Sequence, residues 1–200
     1  MTSYGFVIDL GKCIGCDACT EACRDQFAGN AYPPYSAAET DTGEFWMDMK
    51  TLEAGTFPNV QASYTPLPCM QCDNPPCKAA ATNSAVYTRP DGIVIIDPTL
   101  SVGQTQLLTS TACPYGKIYW NQVSNIPQKC TFCAHKVDQG MTPTCVEACP
   151  TTAILFGDLS DSSSAVAKAV ASGAKVLHPE YGTNPKVYYL NMPSNSALLP

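Results

Sequence analysis

The chain has little of what common active sites are built from. Its 200 residues hold only 2 histidines and 2 tryptophans. No nucleophile elbow, phosphate loop or dinucleotide fingerprint occurs, which excludes the usual hydrolase, nucleotide and nicotinamide sites. Basic residues are scarce, 11 Lys and Arg against 17 Asp and Glu, for a net charge of −6. Nucleic acid needs clustered Lys and Arg, so no nucleic-acid partner is expected. No apolar run approaches the roughly 20 residues that span a bilayer, so this chain should contribute no transmembrane segment. Residues 1–10 lack the basic and apolar regions of a secretory signal, and no N-x-[ST] acceptor occurs.

What is present is cysteine, proline and glycine. There are 12 Cys, 17 Pro and 13 Gly, and the apolar share of 45% includes the cysteines. Such a chain is loop-rich and short of one large core, so bound inorganic material should help organise it. The first run is Cys13, Cys16, Cys19 and Cys23, with spacing C-x2-C-x2-C-x3-C. A disulfide scaffold is a poor fit without a signal peptide. Zinc sites usually pair two C-x2-C units across a spacer, whereas four cysteines within 11 residues suit a four-iron cubane better. The other groups are Cys69, Cys72 and Cys77; Cys113; and Cys130, Cys133, Cys145 and Cys149.

In two-cluster ferredoxins the fourth cysteine of each run ligates the other cluster, often with proline after it. Cys113-Pro114 and Cys149-Pro150 carry that mark. The rule predicts Cys13, Cys16, Cys19 and Cys149 as one ligand set. Cys23, Cys130, Cys133 and Cys145 form the second, and Cys69, Cys72, Cys77 and Cys113 the third. Twelve cysteines are then used with none spare, giving three [4Fe-4S] clusters. Each oxidised site would hold about −2 charge. A fourth site would need cysteines at Ala81, Gly103, Gln106 and Thr109, and all four are absent together.

The expected fold class is α+β: two interlocked ferredoxin-like units, the second inserted in the first. Residues 1–25 with 127–157 form the first unit and 62–126 the second. Residues 26–61 are an inserted arm, with an acidic patch near Glu39 to Glu44. Residues 158–200 are a C-terminal strap and partner contact. Strands are expected at Gly5–Leu10, Ala153–Phe156 and Lys186–Leu190, and a hairpin joins Ala85–Thr88 to Ile93–Ile96. A tail helix should run from Ala165 to Ala171, capped by Asp161 or Ser162 and ended by Gly173. Lys12 and Lys129 each precede a ligand cysteine, either as tuning cations or as solvated surface residues. His135 reads as a hydrogen-bonded structural residue, or else as a contact to a cluster sulfur. His178 has no chemical neighbour in the sequence. Tyr115, Tyr119 and Trp120 should shield a cluster from water.

From about Tyr4 to Leu190 the chain resembles the iron–sulfur (beta) subunits of molybdopterin oxidoreductases related to dimethyl sulfoxide reductase. The likeness rests on Lys12 to Cys23, Pro68 to Cys77, Asp91 to Asp97, Ala112 to Gly116, Gln128 to His135 and Ala148 to Thr151. Most members have sixteen cysteines, and the pattern here is similar to a three-cluster, transhydroxylase-type branch. The resemblance implies a non-catalytic electron-transfer subunit. Its partner would be a large catalytic subunit holding a molybdenum or tungsten bis-pterin cofactor. The missing site would lie toward the membrane anchor of four-cluster relatives, which makes an anchor subunit doubtful. The location implied is cytoplasmic, or the periplasmic face if a twin-arginine partner co-exports the chain. The alternatives are a stand-alone polyferredoxin, or clusters that are mainly structural in a transhydroxylase-like complex.

Overall fold

The computed structural model describes residues 1–40, 46–193 and 199. Asp41, Glu44 and Phe45, in and beside the expected acidic patch, lie outside the described residues. Strand β1 (Tyr4–Asp9) is apolar and β-branched, and its middle is fully buried. Helix α1 (Ala18–Phe27) follows the first cysteine loop and buries Cys19, Cys23 and Phe27 on one face. Strands β2 (Asp48–Thr56) and β3 (Asn59–Leu67) pair as a long antiparallel hairpin. Then come helix α2 (Pro76–Ala80), the hairpin β4 (Val86–Thr88) and β5 (Val94–Ile96), and the hairpin β6 (Tyr119–Asn121) and β7 (Ile126–Gln128). Two one-turn helices, α3 (Ala134–Val137) and α4 (Thr144–Glu147), carry the last cysteine group. Strand β8 (Ile154–Asp158), helix α5 (Ala165–Ala171), β9 (Lys175–Val176) and β10 (Val187–Leu190) end the chain.

The main sheet has the order β8-β1-β10-β9. β1 pairs antiparallel with β8 and parallel with β10, Phe6 facing Val187. The tail was expected as a strap. Within it the expected strand at Lys186–Leu190 forms as β10, and β9 and β10 both join the main sheet, because β10 alternates buried Val187 and Tyr189 against half-buried neighbours. The cap of α5 also differs from expectation. Ser164 accepts from the Ala167 amide at 3.1 Å, while Asp161 turns its carboxylate onto Ser163. Most of the β2–β3 hairpin falls in the expected arm. Its outer strands lack the alternating pattern that marks a half-buried strand, and they stay exposed beyond Lys50 and up to Ala62 apart from Leu52.

The β4–β5 turn is tied to α3 by Arg89. Its guanidinium binds Asp91 at 2.8 Å and Asp138 at 2.5 Å, and it lies over the Tyr35 ring at 5.0 Å. Arg89→Met should therefore destabilise the holoprotein by about 2 kcal/mol, the scale of charge-assisted hydrogen bonds. A melting midpoint lowered by several degrees would report it. An unchanged midpoint would show the cluster to be decorative.

Candidate iron–sulfur centres

All twelve cysteines are free thiols. Only Cys16 is exposed; Cys13, Cys113 and Cys149 are half-buried and the others buried. Three loops place them by one backbone device. In the Cys13–Cys16, Cys69–Cys72 and Cys130–Cys133 loops the residue before the second cysteine has positive φ: Gly15 at 66°, Gln71 at 47° and Phe132 at 52°. Such turns aim successive amides at a common centre. At Gly15 the turn also brings the backbone close to a neighbour, where a Cβ would stand 2.4 Å from the Tyr64 ring and force it to move.

The two Cys-Pro segments are built alike. The residue three beyond the cysteine has positive φ, Gly116 at 61° and Thr152 at 51°. The amide one further on donates to the sulfur. Lys117 N–H reaches Cys113 Sγ at 3.3 Å and Ala153 N–H reaches Cys149 Sγ at 3.2 Å. Phe132 N–H does the same for Cys130 Sγ at 3.4 Å.

A cavity of about 340 Å³ is lined by Cys69, Cys72, Cys77 and Cys113, with Val94, Ile118 and Tyr115 among its walls. A second, of about 290 Å³, is lined by Cys13, Cys16, Cys19 and Cys149, and the hairpin base supplies Met49 and Pro66. Cys23 is buried with Cys130, Cys133 and Cys145 as its electrostatic neighbours. Neighbours also link the groups: Cys145 feels Cys19, and Cys130 feels Cys69. Among the described residues no three His, Cys, Asp or Glu side chains converge to hold a single ion. Two of the three expected sets border cavities instead.

Burial pushes most of these thiols up. Cys19 and Cys77 rise to about 11, Cys72 and Cys130 to about 12, and Cys23 and Cys145 well above the ordinary value. Cys149 shifts the other way. Burial raises it, but hydrogen bonds from Thr151, Ala153 and Ile154 outweigh that and lower it. A buried thiol becomes a ligand only when a metal compensates the thiolate, so loading must release protons. Free thiols, largely apolar walls and amides aimed at sulfur together fit iron–sulfur ligation.

The other expected residues divide. Lys12 is exposed and 4.0 Å from Asp9, whereas Lys129 is 2% exposed and lines the larger cavity. Tyr115 lines that cavity and binds Thr183 Oγ1 at 2.7 Å; Tyr119 and Trp120 are outside its lining. The His135 ring makes no hydrogen bond among the described residues. It stacks on Tyr32 at 3.7 Å and meets the edge of Phe27, so aromatic packing replaces the expected hydrogen bond. His178 bridges Glu180 and the Leu199 carbonyl. Around the absent fourth set, Gln104 binds both Thr82 N–H and O, Gly103 N–H reaches Asn125 O, and Leu107 is fully buried. Ala81 packs on that core, and Thr109 Oγ1 donates to Gln106 O. Sequence reasoning missed Gln71, whose buried side chain joins Cys130 O to Val94 N–H at 2.7 Å each. A lone glutamine between two cysteines gives no pattern to find.

Comparison with known proteins agrees with this chemistry. The family described as "4Fe-4S dicluster domain" matches residues 60–159, and "4Fe-4S binding domain" matches residues 6–26. The chain is 42% identical to the pyrogallol hydroxytransferase small subunit of Pelobacter acidigallici, over 96% of this chain and 70% of that one. It is 37% identical to a sulfite dehydrogenase subunit of Allochromatium vinosum, covering 95% and 83%. It is 35% identical to a tetrathionate reductase subunit of Salmonella typhimurium, covering 94% and 72%. The chain thus belongs to the iron–sulfur (beta) subunits of the dimethyl sulfoxide reductase family, as a 4Fe-4S electron-transfer subunit.

Proposed function

We propose that the chain holds three [4Fe-4S] clusters in line and conducts electrons to or from a large catalytic subunit with a molybdenum or tungsten bis-pterin site. Cys13, Cys16, Cys19 and Cys149 hold the first cluster. Cys23, Cys130, Cys133 and Cys145 hold the middle one. Cys69, Cys72, Cys77 and Cys113 hold the third. The observation that carries this reading is the shared build of the two Cys-Pro segments, each beside a cavity bordered by a distant cysteine triplet. The Cys145–Cys19 and Cys130–Cys69 neighbour relations support a linear order. The pairing of β1 with β8 and the packing of α1 on α4 support a first unit of residues 1–25 and 127–157, with 62–126 inserted. When bound, the clusters supply one-electron exchange. The chain's own residues fix their positions, exclude water and supply hydrogen bonds to sulfur.

The purified complex should contain about 12 irons per chain from these sites, with three four-iron signals after reduction. About 8 or about 16 irons would defeat the ligand sets. A second reading makes the clusters mainly structural. It is favoured by the likeness to a hydroxytransferase subunit, because group transfer has no net demand for electrons. Turnover that persists with the clusters locked in one oxidation state would support it.

A further inference from the structure

Three lysines are buried in this chain, and they are not equivalent. Lys117 is 3% exposed and ends on Asp48 at 2.9 Å. Lys186 is 1% exposed and ends on Asp73 at 2.7 Å. Lys129 is as deeply buried, yet among the described residues it has no carboxylate partner. Its Nζ donates to two backbone carbonyls, Val94 O at 2.5 Å and Cys130 O at 3.2 Å.

Among the described residues lining the two cavities beside Lys129, none is a carboxylate, and the thiols of one cavity are the groups that can carry negative charge as metal ligands. Lys129 faces two cavities. One is lined by Cys69, Cys72, Cys77 and Cys113, and its remaining lining residues are neutral. The other, of about 200 Å³, is lined by Tyr35, Ser36, Trp46, Thr131 and further neutral residues. Burying an ammonium with no counter-charge is strongly unfavourable. The two carbonyl dipoles offset only part of that.

From this geometry we propose that Lys129 is the built-in counter-charge of the Cys69, Cys72, Cys77 and Cys113 site, raising its reduction potential above the level that apolar burial alone would set. The inference rests on the ligand set proposed above. Apolar walls disfavour the extra negative charge of the reduced site, and a fixed buried cation offsets that penalty. Because salt screens buried pairs poorly, the effect should persist at high ionic strength. Lys12, exposed and 4.0 Å from Asp9, has no comparable hold on the first site. Lys129 thus positions charge rather than taking part in any bond change. Reduction adds one electron from the partner or the titrant and moves no ligand.

The test is an anaerobic redox titration of the complex followed by EPR. Four forms are compared: the natural chain, Lys129→Met, Lys129→Arg and Lys12→Gln. Lys129→Met should keep its iron while one of the three clusters becomes at least tenfold harder to reduce, about 59 mV for a one-electron couple. Lys129→Arg should hold all three midpoints near those of the natural chain, and so should Lys12→Gln. The proposal is overturned by Lys129→Met with full iron and unmoved midpoints. It is equally overturned by Lys129→Arg with full iron and the same fall as methionine, which keeps the test decisive if the methionine chain loses iron. An iron count of about 8 or 16 in the natural complex would instead defeat the ligand sets, a distinct result.

Discussion

Replacing Cys145 with alanine is expected to remove about four of the roughly twelve irons and to cut electron exchange along the chain to background. Cys145 is 5% exposed, on the short helix α4. Its electrostatic neighbours are Cys133 and Cys130, and Cys19 connects it to the next group. In the proposed order its site is the middle of three, so no route bypasses it. The loss is also structural. Three remaining thiols would face an apolar space that no metal fills, and each is costly to ionise there. Iron analysis, EPR and the rate of electron delivery across the complex measure the effect. Cys16→Ser provides the contrast: Cys16 is the exposed member of an end site, so the middle and far signals should survive. Full iron and an unchanged rate in the alanine variant would remove Cys145 from the ligand set.

The second large effect is expected on iron removal. Chelation after oxidation of the clusters should abolish the cooperative thermal transition and most of the helical circular dichroism. Among the described residues the α-helices are 10, 5, 4, 4 and 7 residues long. Isolated helices below about 12–15 residues are marginal in water. Four of these five carry or are capped by a cysteine of the candidate sites, and α5 is the exception. A domain's net stability is about 5–15 kcal/mol. One structural zinc site contributes about 10–16 kcal/mol, so losing three metal sites exceeds any plausible reserve. Apo-protein that melts with the cooperativity and midpoint of the holoprotein would refute this.

Much of the fold was legible where local pattern and burial agree. β1, β8, β10 and the β4–β5 hairpin stand on β-branched runs, and α5 stands on alanines between a serine cap and Gly173. The β2–β3 hairpin was not legible, because a strand exposed on both faces shows no alternation to read. The tail was underestimated for a related reason. Lys186 to Leu190 reads as a strand, but its parallel partner β1 lies some 180 residues away, and no local signal names it. Lys12 and Lys129 look alike in sequence, each one residue before a cysteine. Position in the fold makes one a solvated surface charge and the other a buried cation.

By itself the sequence determined the chemistry of this protein. Twelve thiols at cluster spacing, almost no other reactive group and no helix-length apolar run leave iron–sulfur ligation as the function the residues can perform. Ligand spacing is local, a matter of how one turn of backbone presents its side chains, so it survives in the linear order. Only the tertiary structure decided which distant thiols border one cavity, which lysine is stripped of water, and where the tail inserts in the sheet. Those depend on contacts between residues far apart in the chain. Burial, which sets both the thiol protonation and the strength of a charge, exists only once those contacts have formed.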